Sequence, residues 1–154
     1  TGKSSLKYSL SLPDVPVWKS NNINVDDEVW LTEGLFDMFA LDNLGHKVVS
    51  CSSAMWSGLQ LYELITLKPG KINIFSDNDE VGLRTSAVLY DFFRNYGISC
   101  DIFKSKNSKD AAQHFFEDSL SISDIIKVEN VKSLIQSKND ESFDFIKYLK
   151  NRKY

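Results

Sequence analysis

Short apolar runs alternate with longer amphipathic stretches through the middle of the chain. From residue 29 onward, each of four apolar runs is followed by a segment in which apolar residues recur at helical spacing. This pattern predicts four strands, at 29–32, 47–51, 71–75 and 98–103. It also predicts four helices, at 35–44, 59–67, 81–96 and 110–117. Strands that alternate with helices of this length form a parallel sheet with right-handed crossover connections.

The two ends of the chain lack this alternation. Residues 1–28 are polar with scattered apolar side chains, and Pro13 and Pro16 interrupt them, which favours an extended segment or edge strand packed on the domain. Beyond residue 118 the spacing predicts short helices at 122–126, 131–136 and 143–150. We therefore divide the chain into an N-terminal segment (1–28), a central domain (29–118) and a helical appendage or linker (119–154).

Size and composition fit one intracellular domain. The chain has 154 residues, of which 42% are apolar, enough for a hydrophobic core. No apolar run could cross a bilayer, and the polar N-terminus lacks the apolar region of a secretory signal, so we expect a cytoplasmic protein that contacts no membrane. The net charge of −3 argues weakly against a dedicated nucleic-acid clamp, but not against a catalytic domain that reaches nucleic acid through bound metal.

The cysteines and histidines do not suggest a zinc site. Cys51 and Cys100 are far apart in sequence and have no histidine nearby, which excludes structural zinc and favours two reduced thiols in or near the core. His46 and His114 do not adjoin an acidic cluster in the way that metal ligands would. We expect both histidines at the surface.

Carboxylates follow three of the predicted strands, at the point where each strand ends. They are Glu33, Asp37, Asp77, Asp79 and Asp110. Ligands of open α/β sheets bind at the carboxyl ends of parallel strands, so these acids would share one rim. Carboxylates gathered there repel one another unless a cation lies between them, and a hard cation such as Mg²⁺ suits oxygen ligands. The sequence therefore predicts a metal-dependent phosphoryl-transfer site.

Each acidic cluster also has a simpler interpretation as a helix cap. The segment Asp77-Asn78-Asp79 would be a polar turn that caps the next helix, and Asp110 would be an ordinary N-cap. Thr32 or Glu33 would cap the helix predicted at 35–44. Because all three clusters end strands of one inferred sheet, their combination favours a shared site.

With these residues assembled, the chain resembles the Toprim domain of bacterial-type primases, phage primase–helicases, topoisomerases and some nucleases. The segment Glu33-Gly34-x-x-Asp37 is similar to the family's Glu-Gly motif with its following Asp. The segment from Asp77 to Gly82 is similar to the Asp-x-Asp motif with its trailing Gly. Lys109-Asp110-Ala111 is especially similar to the primase and primase–helicase branch.

The resemblance implies a fold, a set of catalytic residues and a metal. The fold would be α/β, a Toprim-like (Rossmann-like) parallel sheet of about four strands flanked by helices, with a small C-terminal helical appendage. The catalytic residues would be Glu33, Asp77 and Asp79. With Asp37 and Asp110 these three would hold Mg²⁺ or Mn²⁺, which activates a 3′-hydroxyl and stabilises the leaving pyrophosphate.

Basic side chains lie beside the predicted rim. Arg84, one turn into the helix after Asp79, would contact a phosphate or pair with an acid. Lys104, Lys106 and Lys109 form a basic loop that is either solvated or in contact with a triphosphate or template.

Three functions remain open at this stage. The first is the catalytic domain of a DNA primase, a nucleotidyltransferase that makes RNA primers on single-stranded DNA from ribonucleoside triphosphates. It would be a fragment, or would work with other primase domains or a replicative helicase. The second is a Toprim nuclease, in which water is the nucleophile. The third is a non-catalytic module that binds replication partners through exposed aromatic residues such as Trp18 and Trp56, although we favour core positions for both.

Overall fold

Four parallel strands form the centre of a mixed sheet, and an antiparallel strand lies at each edge. The computed structural model describes residues 17–51, 56–118 and 121–131. Its strands are β1 (Trp18–Lys19), β2 (Glu28–Thr32), β3 (Val48–Ser50), β4 (Lys71–Ser76), β5 (Ser99–Ser105) and β6 (Ile125–Lys127). Their order across the sheet is β1-β3-β2-β4-β5-β6. Strands β2 to β5 run parallel, whereas β1 and β6 pair antiparallel with β3 and β5.

Helices cover both faces of the sheet. They are α1 (Leu35–Asn43), α2 (Gly58–Thr66), α3 (Glu80–Asn95) and α4 (Ala111–Asp118). Successive strand residues point to opposite faces, so neighbours such as Trp30 and Leu31 belong to separate cores. Helices α2 and α3 pack on the Leu31 side, and α1 and α4 pack on the Trp30 side.

The sequence pattern correctly predicted this central architecture. The structure confirms the α/β class and the parallel strands alternating with helices. Cys51 and Cys100 are both buried, as expected for core thiols. Among the residues that the structure covers, no helix is both long and apolar enough to cross a membrane.

The segment after α4 differs from its prediction. Instead of a helix at 122–126, Ile122–Asp124 makes a 3₁₀ turn and Ile125–Lys127 joins the sheet beside β5. The β-branched residues Ile125 and Ile126 suit an extended edge strand, and an apolar count at helical spacing does not register that preference. The helix predicted at 143–150, and all but the first residue of the one at 131–136, lie outside the described residues.

At the other edge, Trp18–Lys19 forms the kind of edge strand predicted for the N-terminal segment, whose first 16 residues lie outside the described part. The expected burial of both tryptophans is half right. Trp56 is 3% exposed, whereas Trp18 is 50% exposed because its strand borders solvent. The domain limits at 28 and 118 stay predictions.

Candidate metal centre

Strands β2, β4 and β5 are neighbours in the sheet and end at the same edge. Strand β4 lies between the other two, with Ile74 opposite Leu31 on one side and Ile102 on the other. The chain leaves these three strands at residues 33, 77 and 106, so the acids that follow them reach one rim. All five predicted metal ligands are therefore brought to this edge.

Hydroxyl groups shape the turn that presents Glu33. Ser50 Oγ donates a hydrogen bond to the backbone oxygen of Glu33 (3.0 Å), and Thr32 Oγ1 donates to the backbone oxygen of Gly34 (3.1 Å). Helix α1 begins after Gly34 without a side-chain cap, so the alternative in which Thr32 or Glu33 caps it is wrong. The Glu33 carboxylate accepts no hydrogen bond from any described residue.

The electrostatics of Glu33 reflect this isolation. Burial, followed in order of size by the charges of Asp77, Asp37 and Asp79, raises the pKa of Glu33 to about 7. None of the described groups around Glu33 lowers this pKa. A half-buried carboxylate surrounded by like charges is most stable beside a proton or a cation.

Asp37 links two of the three loops. Its Oδ1 accepts a hydrogen bond from the backbone N–H of Ala112 (2.8 Å), which ties the first turn of α1 to the first turn of α4. The pKa of Asp37 is raised to about 6, because burial and the charges of Asp110 and Asp77 outweigh the hydrogen bond from Ala112, which lowers it. Gly34 makes room for this side chain, because a Cβ there would lie 2.7 Å from Asp37 Oδ2.

The remaining acids divide into one free carboxylate and two helix caps. Asp79 Oδ1 accepts from the backbone N–H of Gly82 (2.8 Å) and caps α3, and Asp110 Oδ1 accepts from Gln113 N–H (2.7 Å) and caps α4. The capping alternative is therefore correct for these two residues, although each keeps a second oxygen. The Asp77 carboxylate makes no described hydrogen bond, and its pKa is raised by burial and by the charge of Asp110.

The basic residues have definite partners. Arg84 pairs with Glu80 (2.7 Å) on the exposed side of α3, so a phosphate contact would require this surface pair to open. Lys109 Nζ lies 3.8 Å from Asp79 Oδ2 and its side chain is 60% exposed, which leaves it accessible to a ligand at the rim. Lys104 Nζ donates to Asn78 Oδ1 (2.9 Å).

Sequence reasoning missed two polar residues near the rim. Asn78 was treated only as the middle of a turn, yet its side chain contacts the loop after β5. His114 was expected at the surface and is 3% exposed. Its position four residues after Asp110, between the core-facing Ala111 and Phe115, was the available signal, because this spacing places it on the buried face of α4.

The rim fits a hard divalent cation in its chemistry. Its donors are carboxylate oxygens, the ligands of Mg²⁺ and Mn²⁺. Across 17–51, 56–118 and 121–131, no group of three or more His, Cys, Asp or Glu side chains stands ready to hold an ion. Glu33 and Asp77, whose carboxylates accept no hydrogen bond within the described part of the chain, would therefore have to rotate towards a bound ion.

Comparison with known proteins places this arrangement in a family. The family model described as Toprim-like matches residues 30–115, more than half of the chain. The chain belongs to the Toprim-like family. The matched span contains all five rim carboxylates of this Toprim domain. No curated protein matches the sequence.

Solved primase structures share the fold of this Toprim domain. The E. coli primase catalytic core aligns with a TM-score of 0.52 at 13% identity, over 73% of this chain and 38% of that one. A second DnaG catalytic core gives 0.51 at 13% identity, over 75% and 36%. The DnaG primase catalytic domain bound to ssDNA gives 0.50 at 14% identity, over 61% and 31%. The chain thus spans about a third of these structures, and the likeness concerns the fold.

Gly82 brings helix α3 against the Asp77 turn, and we expect Gly82→Ala to destabilise the Toprim domain. A Cβ at residue 82 would lie 2.7 Å from Asp77 Cβ and 2.8 Å from the Asp77 backbone oxygen, so backbone must move. The cost should be about 1–3 kcal/mol in chemical denaturation. Gly34→Ala is the matched comparison, because its clash is with the end of the Asp37 side chain, which can rotate. Equal losses in the two variants would contradict this account.

Proposed function

We propose that this chain is the metal-binding catalytic domain of a primase-like nucleotidyltransferase. It would join ribonucleoside triphosphates into RNA primers on single-stranded DNA, together with other primase domains or a replicative helicase. The observation that carries this proposal is the Glu33 carboxylate, which lies half-buried among three other acids, has no hydrogen-bond donor among the described residues, and has its pKa raised to about 7. Membership of the Toprim-like family supports it.

Each rim residue has a role in this proposal. Asp77 and Asp79 would hold Mg²⁺ or Mn²⁺, with Asp37 and Asp110 completing the acidic cluster. The positive charge of such an ion would stabilise the negative charge on the transferred phosphoryl group and on the leaving pyrophosphate. Glu33 would either bind the ion or take up the proton of the attacking 3′-hydroxyl, a task suited to a pKa near neutrality.

Lys109 and Arg84 would serve the nucleotide. The Lys109 ammonium is exposed beside Asp79, where it can meet a triphosphate that approaches the rim. Arg84 would join it only after leaving Glu80. Among these two residues, the geometry therefore favours Lys109 as the first phosphate contact.

A non-catalytic module is the second candidate, and one observation favours it. Asp37, Asp79 and Asp110 each accept a hydrogen bond from a backbone N–H near a helix start, a structural task that needs no metal. Such a domain would bind replication partners without chemistry. The two candidates differ in whether the rim takes up a divalent ion.

Mn²⁺ titration, followed by electron paramagnetic resonance of the free ion, separates these candidates. We expect the wild-type chain to bind Mn²⁺ and Asp77→Asn to bind it at least tenfold more weakly. Even changes to residues that only orient metal ligands weaken binding by about tenfold or more, so the loss of a ligand should have at least this effect. Asp91→Asn, an exposed acid on α3 away from the rim, should bind like the wild type. Absence of binding in the wild type would overturn the enzyme proposal.

Parallel assays with labelled substrates then identify the reaction. Incorporation of ribonucleotides on single-stranded DNA, with partner domains supplied, supports a primase. Cleavage of labelled RNA or DNA without incorporation would instead assign a Toprim nuclease.

A further inference from the structure

The loop between β5 and α4 carries Lys109 and Asp110 to the rim, and Asn78 holds it from one side. The backbone N–H of Asn78 donates to the Lys109 oxygen (2.6 Å). The Asn78 amide nitrogen lies 3.4 Å from the backbone oxygens of both Ser105 and Ser108. The residue between Asp77 and Asp79 is therefore bonded to the start, the middle and the end of this loop.

His114 holds the same loop from the protein interior. Ser105 Oγ accepts a hydrogen bond from the Ser108 N–H (3.2 Å) and lies 2.6 Å from His114 Nδ1. The Ser105 O–H has no other acceptor in the described part of the chain, so it donates to Nδ1. The other ring nitrogen of His114, Nε2, lies 3.6 Å from Asp124 Oδ2.

This second contact is deeply buried. Ser105 is fully buried and His114 is 3% exposed, in contact with the core around Ala111. Buried hydroxyl and imidazole groups destabilise a fold unless they are hydrogen-bonded, and an apolar pair of similar size would pack without that requirement. What the polar pair adds is direction, because Ser105 Oγ is hydrogen-bonded to Ser108 N–H in the loop on one side and to His114 Nδ1 on α4 on the other.

We propose that Asn78 and His114 are positioning residues for the metal centre, which together set where Asp110 and Lys109 stand relative to Asp77 and Asp79. The inference rests on the proposed metal centre. Neither residue touches the ion or the substrate. Asn78 fixes the loop to the turn that carries Asp77 and Asp79, and His114 fixes it to α4.

The test measures Mn²⁺ affinity on the full chain, with circular dichroism to verify folding. We expect Asn78→Ala, Ser105→Ala and His114→Leu each to weaken Mn²⁺ binding about tenfold, the usual scale for residues that orient metal ligands. His46→Leu is the matched control. His46 precedes β3 at the opposite end of the sheet and stacks on Trp30, so its loss should leave Mn²⁺ affinity unchanged.

Two further variants separate positioning from general stability. His114→Asn places an amide oxygen near the position of Nδ1 and should recover most of the affinity that His114→Leu loses. The double variant Ser105→Ala/His114→Leu should bind Mn²⁺ no more weakly than Ser105→Ala, because that single variant already removes the hydrogen bond to His114 together with the one from Ser108 N–H. If His114→Leu does not fold, Ser105→Ala still tests the proposal, because this small change should leave the fold intact.

The outcomes are distinguishable. If the wild type binds Mn²⁺ and Asn78→Ala, Ser105→Ala and His114→Leu bind it equally well, the positioning role is wrong and the metal centre stands. If affinity falls only in proportion to melting temperature, without recovery in His114→Asn, the role is structural and the inference is wrong. If the wild type binds no Mn²⁺, the metal centre and this inference fail together.

Discussion

Under the proposed function, Asp77→Asn is expected to lower the rate of primer synthesis about 10³-fold or more in saturating Mg²⁺. Asn has nearly the shape of Asp, and the Asp77 carboxylate makes no described hydrogen bond that the change would break. Burial and the charge of Asp110 raise the pKa of Asp77. In the metal-free protein the Asp77 carboxylate therefore acts mainly by repelling the neighbouring acids. The substitution therefore removes a charge at the rim and leaves the fold unchanged.

Initial rates of labelled ribonucleotide incorporation on single-stranded DNA, with partner domains present, measure this effect. Asp91→Asn makes the same chemical change on the exposed surface of α3 and should retain the wild-type rate. If Asp77→Asn is as active as Asp91→Asn, the rim does not perform the chemistry.

Glu33→Gln is expected to stabilise the protein in the absence of divalent ions. The pKa of Glu33 rises from 4.5 to about 7 on folding, so the folded state binds the proton more tightly than the unfolded state does. The stabilising contribution is complete below about pH 4.5 and is lost as the pH rises to about 7. At pH 8 the variant, which carries no charge there, should be more stable by about 1–3 kcal/mol.

Thermal melts between pH 4 and pH 8, in the presence of chelator, test this prediction. Each kcal/mol of stability should shift the melting temperature by roughly 2–4 °C. The wild-type melting temperature should fall across this range more steeply than that of Glu33→Gln. Added Mn²⁺ should reverse the order, because an ion that binds only the folded state stabilises the wild type. A less stable Glu33→Gln in chelator would show that this carboxylate has a stabilising partner.

Asp101→Asn provides the opposite control. Burial raises the pKa of Asp101, but hydrogen bonds from Lys127 and Lys71 outweigh it and hold the pKa below its ordinary value. Its ion pairs, at 2.8 Å to Lys127 and 3.0 Å to Lys71, join the three strands β4, β5 and β6. Loss of this charge should destabilise the protein at neutral pH. The change from acid to amide should therefore stabilise the protein at Glu33 and destabilise it at Asp101.

The site was partly predictable. The acids were found because each follows an apolar run, and strand ends of a parallel sheet share a rim. The two interpretations of Asp79 and Asp110, as ligands and as caps, were not exclusive, since a carboxylate has two oxygens and capping uses one. The burial of His114 was predictable from its helical register with Ala111 and Phe115, whereas its hydrogen bond to Ser105 depends on how the intervening loop folds.

The sequence by itself determined the alternation of strands and helices and the identity of the acids, because side-chain periodicity and chain order are local properties. Only the tertiary structure decided which carboxylates lack hydrogen-bond donors, that 125–127 extend the sheet, and that Asn78 and His114 hold one loop between them. These outcomes depend on which segments meet in space. Strand order and loop packing set those meetings, and they involve residues far apart along the chain.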